Sequence, residues 1–419
     1  LGWTGTEFEV TVGPVAHGGH CVARHEGRVV FVRHSLPGER VVVRVTEDRH
    51  PGYCRADAIR VLEPSPHRVE RPCPYSGPGL CGGCDWQHVA PAEQRRLKSA
   101  VVREQLARLA GLDDVDVPVE ELPGGPLRWR SRARFAVDRS GAAGLRRHRS
   151  HDVVVLDDCP ITAEPAAQAV LRGRWPGAGA VDVAVDSAGL VTTTRLDRRG
   201  HPTSSRVIPP GGDLPEEPAG RRSARHAGGR DWEVEGTGFW QVHPAAADAL
   251  VAAVAEYAAV RQGETVLDLY AGAGLFGGAL APGVGREGRV VCVEADPAAC
   301  AAADANLARL PQAEVWEGEV DDEGLAGLLA ELGRAPDVVV LDPPRAGAGP
   351  GVSRLLAATG ARAVVYVACD PAALGRDVAA FGEAGYRLAG VRGFDAFPMT
   401  AHVECVALLE PTDGAAGAW

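Results

Sequence analysis

The chain has one lysine, Lys98, and one methionine, Met399; every other basic residue apart from histidine is arginine. With alanine and glycine abundant, this bias follows GC-rich coding and gives no ground for reading arginine as chosen over lysine for its chemistry. No uninterrupted apolar run approaches the roughly 18 residues a membrane span needs. The longest candidate, Val242–Val260, is broken by His243, Asp248 and Glu256. The stretch Leu1–Glu7 lacks a basic segment followed by an apolar core, so no secretory signal is expected. The expectation is a cytoplasmic protein with no membrane partner. Ten cysteines in such a chain do not suggest a disulfide framework; metal binding or a reactive thiol explains them better.

Apolar residues at 45 % and charged residues at 24 % exclude a collagen-like or wholly disordered chain. At roughly 100–200 residues per domain, 419 residues predict about two to four domains. The net charge of −11 is uneven: residues 1–150 balance at +5 and residues 151–419 at −16. A basic N-terminal third points to a polyanion partner at that end.

Residues 7–62 carry five short β-branched runs, Phe8–Val12, Cys21–Ala23, Arg28–Phe31, Arg40–Val45 and Ala56–Leu62, separated by glycine and proline. That spacing predicts a small β-barrel over residues 1–63. Pro64, Pro66 and Pro72 mark a linker, and residues 73–88 form a cysteine-rich loop. Leu97, Val101, Leu106 and Leu109 predict a helix over Pro91–Gly111. Residues 117–235 then read as β-rich, closing a middle domain expected over 64–235, with Arg198–Arg230 expected to be a long exposed loop. From residue 236 to 419, apolar runs at Thr265–Leu269, Val290–Val293, Asp337–Leu341, Ala363–Val367 and Val403–Leu409 alternate with helical stretches. The expected fold class is therefore α/β, ending in a mostly parallel, Rossmann-like sheet.

The strand Thr265–Tyr270 runs into Ala271-Gly272-Ala273-Gly274-Leu275-Phe276-Gly277, and Glu294 ends the next strand. Glycines let a backbone approach a ligand, and a carboxylate at Glu294 can accept both ribose hydroxyls. Gly272, Gly274 and Gly277 also fit a dinucleotide fingerprint, so an NAD oxidoreductase stays open on this turn alone. Asp268 favours a cationic ligand such as S-adenosylmethionine over pyrophosphate. Downstream, Asp342-Pro343-Pro344-Arg345 and Tyr366-Val367-Ala368-Cys369-Asp370-Pro371 each follow a strand, where α/β sheets bind ligands. Cys369 offers a thiolate nucleophile, and Glu404, after Phe397-Pro398 and His402-Val403, is a base if it faces that thiol.

Together with Phe239-Trp240-Gln241-Val242-His243, these segments occur in the order found in the S-adenosylmethionine-dependent RNA uracil-5 methyltransferases, which the chain resembles over nearly its whole length. The N-terminal unit resembles a TRAM domain, an RNA-binding barrel, and the C-terminal unit a class I methyltransferase. The resemblance implies methyl transfer to uridine C5 through a Cys369 adduct at uracil C6, with Glu404 as the base that removes the C5 proton. It implies cofactor contacts at Gln241, Tyr270, Glu294 and Asp342, with Asp342 open to a role in orienting uracil and Glu319 a weaker candidate at the adenine end. His243 and Asp370 depart from the family, which usually has Asn at both places.

Cys73, Cys81, Cys84 and the distant Cys159 could hold zinc or an iron–sulfur cluster. The resemblance implies a 4Fe-4S cluster on these four, since many relatives carry one on three close cysteines and a distant fourth. Alternation in Arg128-Trp129-Arg130-Ser131-Arg132-Ala133-Arg134-Phe135 predicts an arginine face for RNA phosphates, with Trp129 and Phe135 in the core. The barrel and cluster favour 23S rRNA over tRNA as substrate, and a monomer is expected. A non-catalytic RNA-binding protein is the rival from another class.

Overall fold

A computed structural model describes residues 2–209, 216–217, 222–235 and 238–412. Valine alternation builds the first sheet: Val30 and Val32 point inward, while Val29 and Phe31 lie on the other face. Its strand order is Glu7–Thr11, Arg40–His50, Tyr53–Glu63, Arg28–Arg33, Cys21–His25. The two edges meet beyond the first strand. Gly13 N–H donates to Val22 O at 2.7 Å and Val22 N–H to Pro14 O at 2.9 Å, closing the sheet as expected. Val10, Val12, Val41, Val43 and Ala56 fill the centre.

The helix Pro91–Ala110 starts on proline, whose missing N–H costs nothing there, and stops at Gly111 in the left-handed region at φ 69°. It packs against the helix Pro371–Glu383. The following strand Val119–Glu120 adds in parallel to Tyr386–Phe394. Residues 91–120 thus belong spatially with the C-terminal sheet, although they precede the middle region in sequence.

The middle sheet runs Glu216–Glu217, Pro202–Ile208, Val191–Leu196, Ala180–Val185, Arg132–Val137, Ala143–Arg146, Val153–Val155. The expected loop Arg198–Arg230 is therefore partly strand. Pro202–Ile208 pairs with Val191–Leu196, and Arg222–Ala227 forms a hairpin with Arg230–Glu235. The inward positions include Ser205, which bonds Thr194 at 2.9 Å, so the alternation is carried by a polar residue that hydropathy misses. Residues 210–215 and 218–221 of that expected loop lie outside the described residues.

The C-terminal sheet has the order Ala313–Glu317, Arg289–Glu294, Thr265–Leu269, Val338–Leu341, Ala363–Ala368, Glu404–Pro411, Tyr386–Phe394, Val119–Glu120. The first five strands are parallel, and Glu404–Pro411 runs antiparallel to Ala363–Ala368. Val266 and Val338 feed the core on one face, and Leu267 and Val339 the core on the other. The chain order reverses between Thr265–Leu269 and Val338–Leu341, so a crevice opens at their C-terminal ends. Among the described residues, no helix is long and apolar enough to cross a membrane.

Candidate active site

One cavity of about 1060 Å³ lies over that crevice, and Gln241, Tyr270, Glu294, Asp342, Cys369 and Glu404 all line it. Glu319 does not. At the nucleotide end, Glu294 accepts from Gly272 N–H at 2.8 Å through one oxygen. The other oxygen accepts from the N–H groups of Ala295 and Asp296, both at 2.9 Å. The carboxylate thus fixes the glycine turn and faces the cavity from one place. Tyr270 sits at φ 59°, and its hydroxyl donates to Val320 O at 2.9 Å, which leaves the ring side for a ligand.

Asp268 departs from its expected place. It is fully buried beneath the turn and accepts from Gly277 N–H at 2.7 Å. Burial pushes it up to about 7, and its bond to Gly277 braces the turn from below; it does not line the cavity, so it does not meet a cation there. The glycine at 277 is required by packing: a Cβ there would collide with Cys292 Sγ. The remaining groups are compatible with the S-adenosylmethionine expectation: Glu294 lines a cavity large enough to hold a nucleoside and a second base.

At the other end, Cys369 follows the strand Ala363–Ala368 and is half-buried. Burial, and then the charges of Glu404 and Asp342, push its thiol up to about 11; Arg345 opposes them. Glu404 is 4 % exposed and held well above the usual carboxylate range, first by burial and then by Asp342. Desolvation raises Asp342 as well. Two carboxyl groups thus share a low-dielectric pocket beside one thiol, and burial holds the proton on all three more tightly than water would.

The loop before Glu404 is positioned by residues the sequence reading missed. The Lys98 ammonium, 0 % exposed, donates to Asp395 at 2.5 Å and to Phe397 O at 3.0 Å. Gln94 accepts from Met399 N–H at 2.7 Å and donates to Val89 O at 2.8 Å. The available signal was Gln94 and Lys98 on the same helical face as Leu97 and Val101, where apolar residues belong.

Of the two residues that depart from the resemblance, His243 and Asp370, only Asp370 lines the cavity. His243 is buried against Trp129, with centroids 5.9 Å apart, and burial pushes it down to about 4. Asp370 caps the helix Pro371–Glu383. The arginine row is corrected: Arg128 is held by Asp158 and Arg134 by Asp182, while Arg132 donates to Gly238 O. Of the four, Arg130 lines the cavity. Trp129 and Phe135 are buried as expected.

Cys73, Cys81, Cys84 and Cys159 line one small cavity of their own. Gly83 N–H points at Cys81 Sγ at 3.4 Å, and the Gln87 amide donates to Cys84 Sγ at 3.3 Å. Burial raises the thiols of Cys73, Cys81 and Cys84. Among the described residues, no three His, Cys, Asp or Glu side chains meet around a single metal-ion position.

The sheet order and the crevice define a class I methyltransferase. A family model described as TRAM domain matches residues 4–59, and one described as tRNA (Uracil-5-)-methyltransferase matches residues 332–412. A third, Protein-L-isoaspartate(D-aspartate) O-methyltransferase, matches residues 241–327, which hold the glycine turn and the strands Thr265–Leu269, Arg289–Glu294 and Ala313–Glu317. An uncharacterized RNA methyltransferase of Streptomyces coelicolor is 48 % identical, covering 97 % of this chain and 93 % of its own. The 23S rRNA (uracil(1939)-C(5))-methyltransferase RlmD of Edwardsiella ictaluri is 32 % identical, covering 94 % and 93 %. The Pyrococcus abyssi tRNA (uracil-54, C5)-methyltransferase, solved with S-adenosyl-L-homocysteine, shares the fold at TM-score 0.70 and 22 % identity, over 96 % of this chain and 100 % of that one. The chain belongs to the S-adenosylmethionine-dependent RNA (uracil-5-)-methyltransferases.

Proposed function

We propose that the chain methylates C5 of a uridine in 23S rRNA through a covalent adduct between Cys369 and uracil C6. The observation that carries this is the placement of Cys369 and Glu404 side by side in the cavity whose other end holds Glu294 and the glycine turn. Gln241, Tyr270, Glu294 and Asp342 are the residues to hold the cofactor, which supplies the methyl group. Uracil C5 is too weak a nucleophile alone. Addition of the Cys369 sulfur at C6 places an electron pair on the C5–C4–O4 enolate, and the thiol proton leaves to the Asp342 carboxylate, the other acidic group beside the thiol. Once C5 is methylated, Glu404 in its carboxylate form takes the C5 proton. The C6–sulfur bond then breaks, returning the electron pair to Cys369.

The rRNA assignment rests on the relative named for 23S rRNA, which matches this chain from barrel to last strand. A tRNA substrate is the second reading, favoured by the fold neighbour. A second cavity, of about 460 Å³, lies between barrel and middle sheet; its lining mixes five arginines with Glu47, Asp48, Asp57 and Asp152, and Glu47 already pairs with Arg149, so Arg55 and Arg147 are cations this surface offers to RNA phosphates. His148 lines both cavities, joining this surface to the active site.

A 4Fe-4S cluster on Cys73, Cys81, Cys84 and Cys159 is part of the proposal; what supports it is the one small cavity that the four thiols line and the N–H donors toward two of their sulfurs, and the thiols would have to draw closer to hold it. Its place beside Gly82 and Gly83, which also line the active cavity, supports a role in shaping RNA contacts. The division into a barrel at 1–63, a cluster and RNA-binding region at 64–235, and a methyltransferase at 236–419 is part of this reading, with residues 91–120 assigned in space to the methyltransferase they pack on. The test is methyl transfer from labelled S-adenosylmethionine to 23S rRNA and to bulk tRNA, each lacking the modification. Label confined to tRNA would overturn the rRNA assignment, and label in neither would overturn the activity.

A further inference from the structure

The turn Ala16–His20 of the barrel reaches across to the catalytic cavity, and His17 and Gly18 line it. The turn is tied by Ala16 N–H to His20 O at 2.8 Å and by Gly19 N–H to Ala16 O at 3.0 Å. Gly19 lies at φ 80°, and a Cβ there would sit 2.5 Å from Ala401 Cβ. The Trp86 indole N–H donates to Gly19 O at 3.1 Å. One side of the turn is thereby seated against the loop that leads into Glu404. On the other side, His17 Nε2 lies 3.0 Å from Asp370 Oδ2.

Asp370 immediately follows Cys369 and uses its two oxygens for different tasks. Oδ1 accepts from the N–H groups of Ala372 and Ala373, at 3.0 and 2.9 Å, capping the helix Pro371–Glu383. Asparagine can cap a helix equally well. What only a carboxylate adds is a charge-assisted bond to an imidazolium, and that is the bond Oδ2 makes with His17.

We propose that His17 is a positioning residue for the nucleophile: its pair with Asp370 holds the loop directly after Cys369 and couples seating of the barrel to orientation of the thiol. The proposal rests on Cys369 being the attacking group. The pair spans two units separated by 353 positions, so it forms only when the barrel is docked. RNA that engages the barrel thus acts on the same turn that braces the reactive loop.

The charges around the pair give it a pH signature. His17 is raised above its ordinary value, mainly by the hydrogen bond to Asp370, with Glu104 helping and Arg108 opposing from the helix Pro91–Ala110. For Asp370, burial works against ionisation, but His17 and the two helix N–H groups outweigh it and hold the carboxyl down to about 2. Asp370 therefore stays ionised at ordinary pH. The charged pair is complete below the unfolded His17 value and weakens as pH rises through the folded one.

The test uses the full chain and needs no RNA. Iodoacetamide labelling of Cys369, followed by peptide mass spectrometry, is compared among wild type, His17→Ala and His17→Gln at about pH 6 and about pH 9. Released from the latch, Cys369 in His17→Ala should label roughly three-fold faster than wild type at the lower pH, the scale of a half-exposed ion pair. The two should converge at the higher pH. His17→Gln keeps one N–H donor without the charge and should fall between them at the lower pH. In turnover on 23S rRNA, His17→Ala should lower kcat and leave KM for S-adenosylmethionine unchanged. A variant-to-wild-type labelling ratio of one at both pH values overturns the proposal. A ratio raised equally at both also overturns it, since that is lost packing alone. If Cys369→Ala still methylates RNA, the covalent mechanism fails, while the labelling ratio still reports the pair.

Discussion

Glu404 stands across the antiparallel ladder from Cys369, one step beyond the pair Ala368 and Cys405. The strand that leads into Cys369 and the strand that carries the carboxylate are therefore hydrogen-bonded neighbours, and 34 residues of intervening chain bring the two groups to one sheet edge. Their mutual influence follows. The Glu404 charge stands next after burial among the causes that raise the Cys369 thiol.

The resting thiol should accordingly be slow to react. With Cys369 pushed up to about 11, its thiolate fraction rises as the proton concentration falls. Iodoacetamide labelling of Cys369 should increase about tenfold per pH unit through neutrality. Arg345 is the cation that works against this rise, so Arg345→Ala should slow labelling about three-fold at fixed pH. A plateau below pH 8 would mean that the thiol is already activated before substrate binds.

Removal of the nucleophile should separate chemistry from binding. Cys369→Ala is expected to abolish methyl transfer and adduct formation with 5-fluorouridine RNA. Affinity for S-adenosylmethionine, measured by calorimetry, should stay near wild type, because Glu294 and the glycine turn lie at the far end of the cavity. Retained turnover would sink the covalent route.

Lys98 tests how the loop before Glu404 is held. Lys98→Met leaves Asp395 buried without its partner, a loss on the order of 3–5 kcal/mol in denaturant unfolding. Removing both charges, in Lys98→Met with Asp395→Asn, should recover much of that loss. Equal instability of the single and double variants would show that the pair is not the source.

Much of this was legible because it is local. Strand runs such as Val338–Leu341, the turn at Gly272–Gly277 and the cap at Gly111 are written in neighbouring residues. The contacts that complete the site are not local. Lys98 meets Asp395 across 297 positions and His17 meets Asp370 across 353. No periodicity encodes such pairs. The side of Asp268 was misread because its strand is buried on both faces, where alternation carries no sign of direction. Val119–Glu120 escaped because two residues make no pattern.

The cysteine cavity gives a prediction independent of catalysis. Protein purified without oxygen should be brown and contain iron and sulfide. Cys81→Ser or Cys159→Ser should remove the colour and destabilise the middle sheet, since Cys159 also packs in its core with Trp129 and Phe135. Stoichiometric zinc without sulfide would replace the cluster with a single ion.

Glu404→Gln keeps the shape of the side chain and removes its basicity, so it isolates the last proton transfer. Addition of Cys369 and methylation at C5 both precede that step, and both leave the C5 proton in place. A glutamine cannot take it. The variant should therefore transfer one methyl group per active site and stop, with the RNA still bonded through C6 to Cys369. Labelled methyl should appear in a protein–RNA band that survives denaturation. The raised carboxyl of Glu404 adds a pH arm. In wild type, release should slow as pH falls through that raised value, because the protonated acid cannot accept a proton, and the methylated adduct should then accumulate in the wild type too. Glu404→Gln should show no such dependence, since its release is already blocked. Normal turnover in Glu404→Gln, with no trapped band at any pH, would assign the proton to another group; Asp342, the second raised carboxyl in the pocket, would be the next to replace.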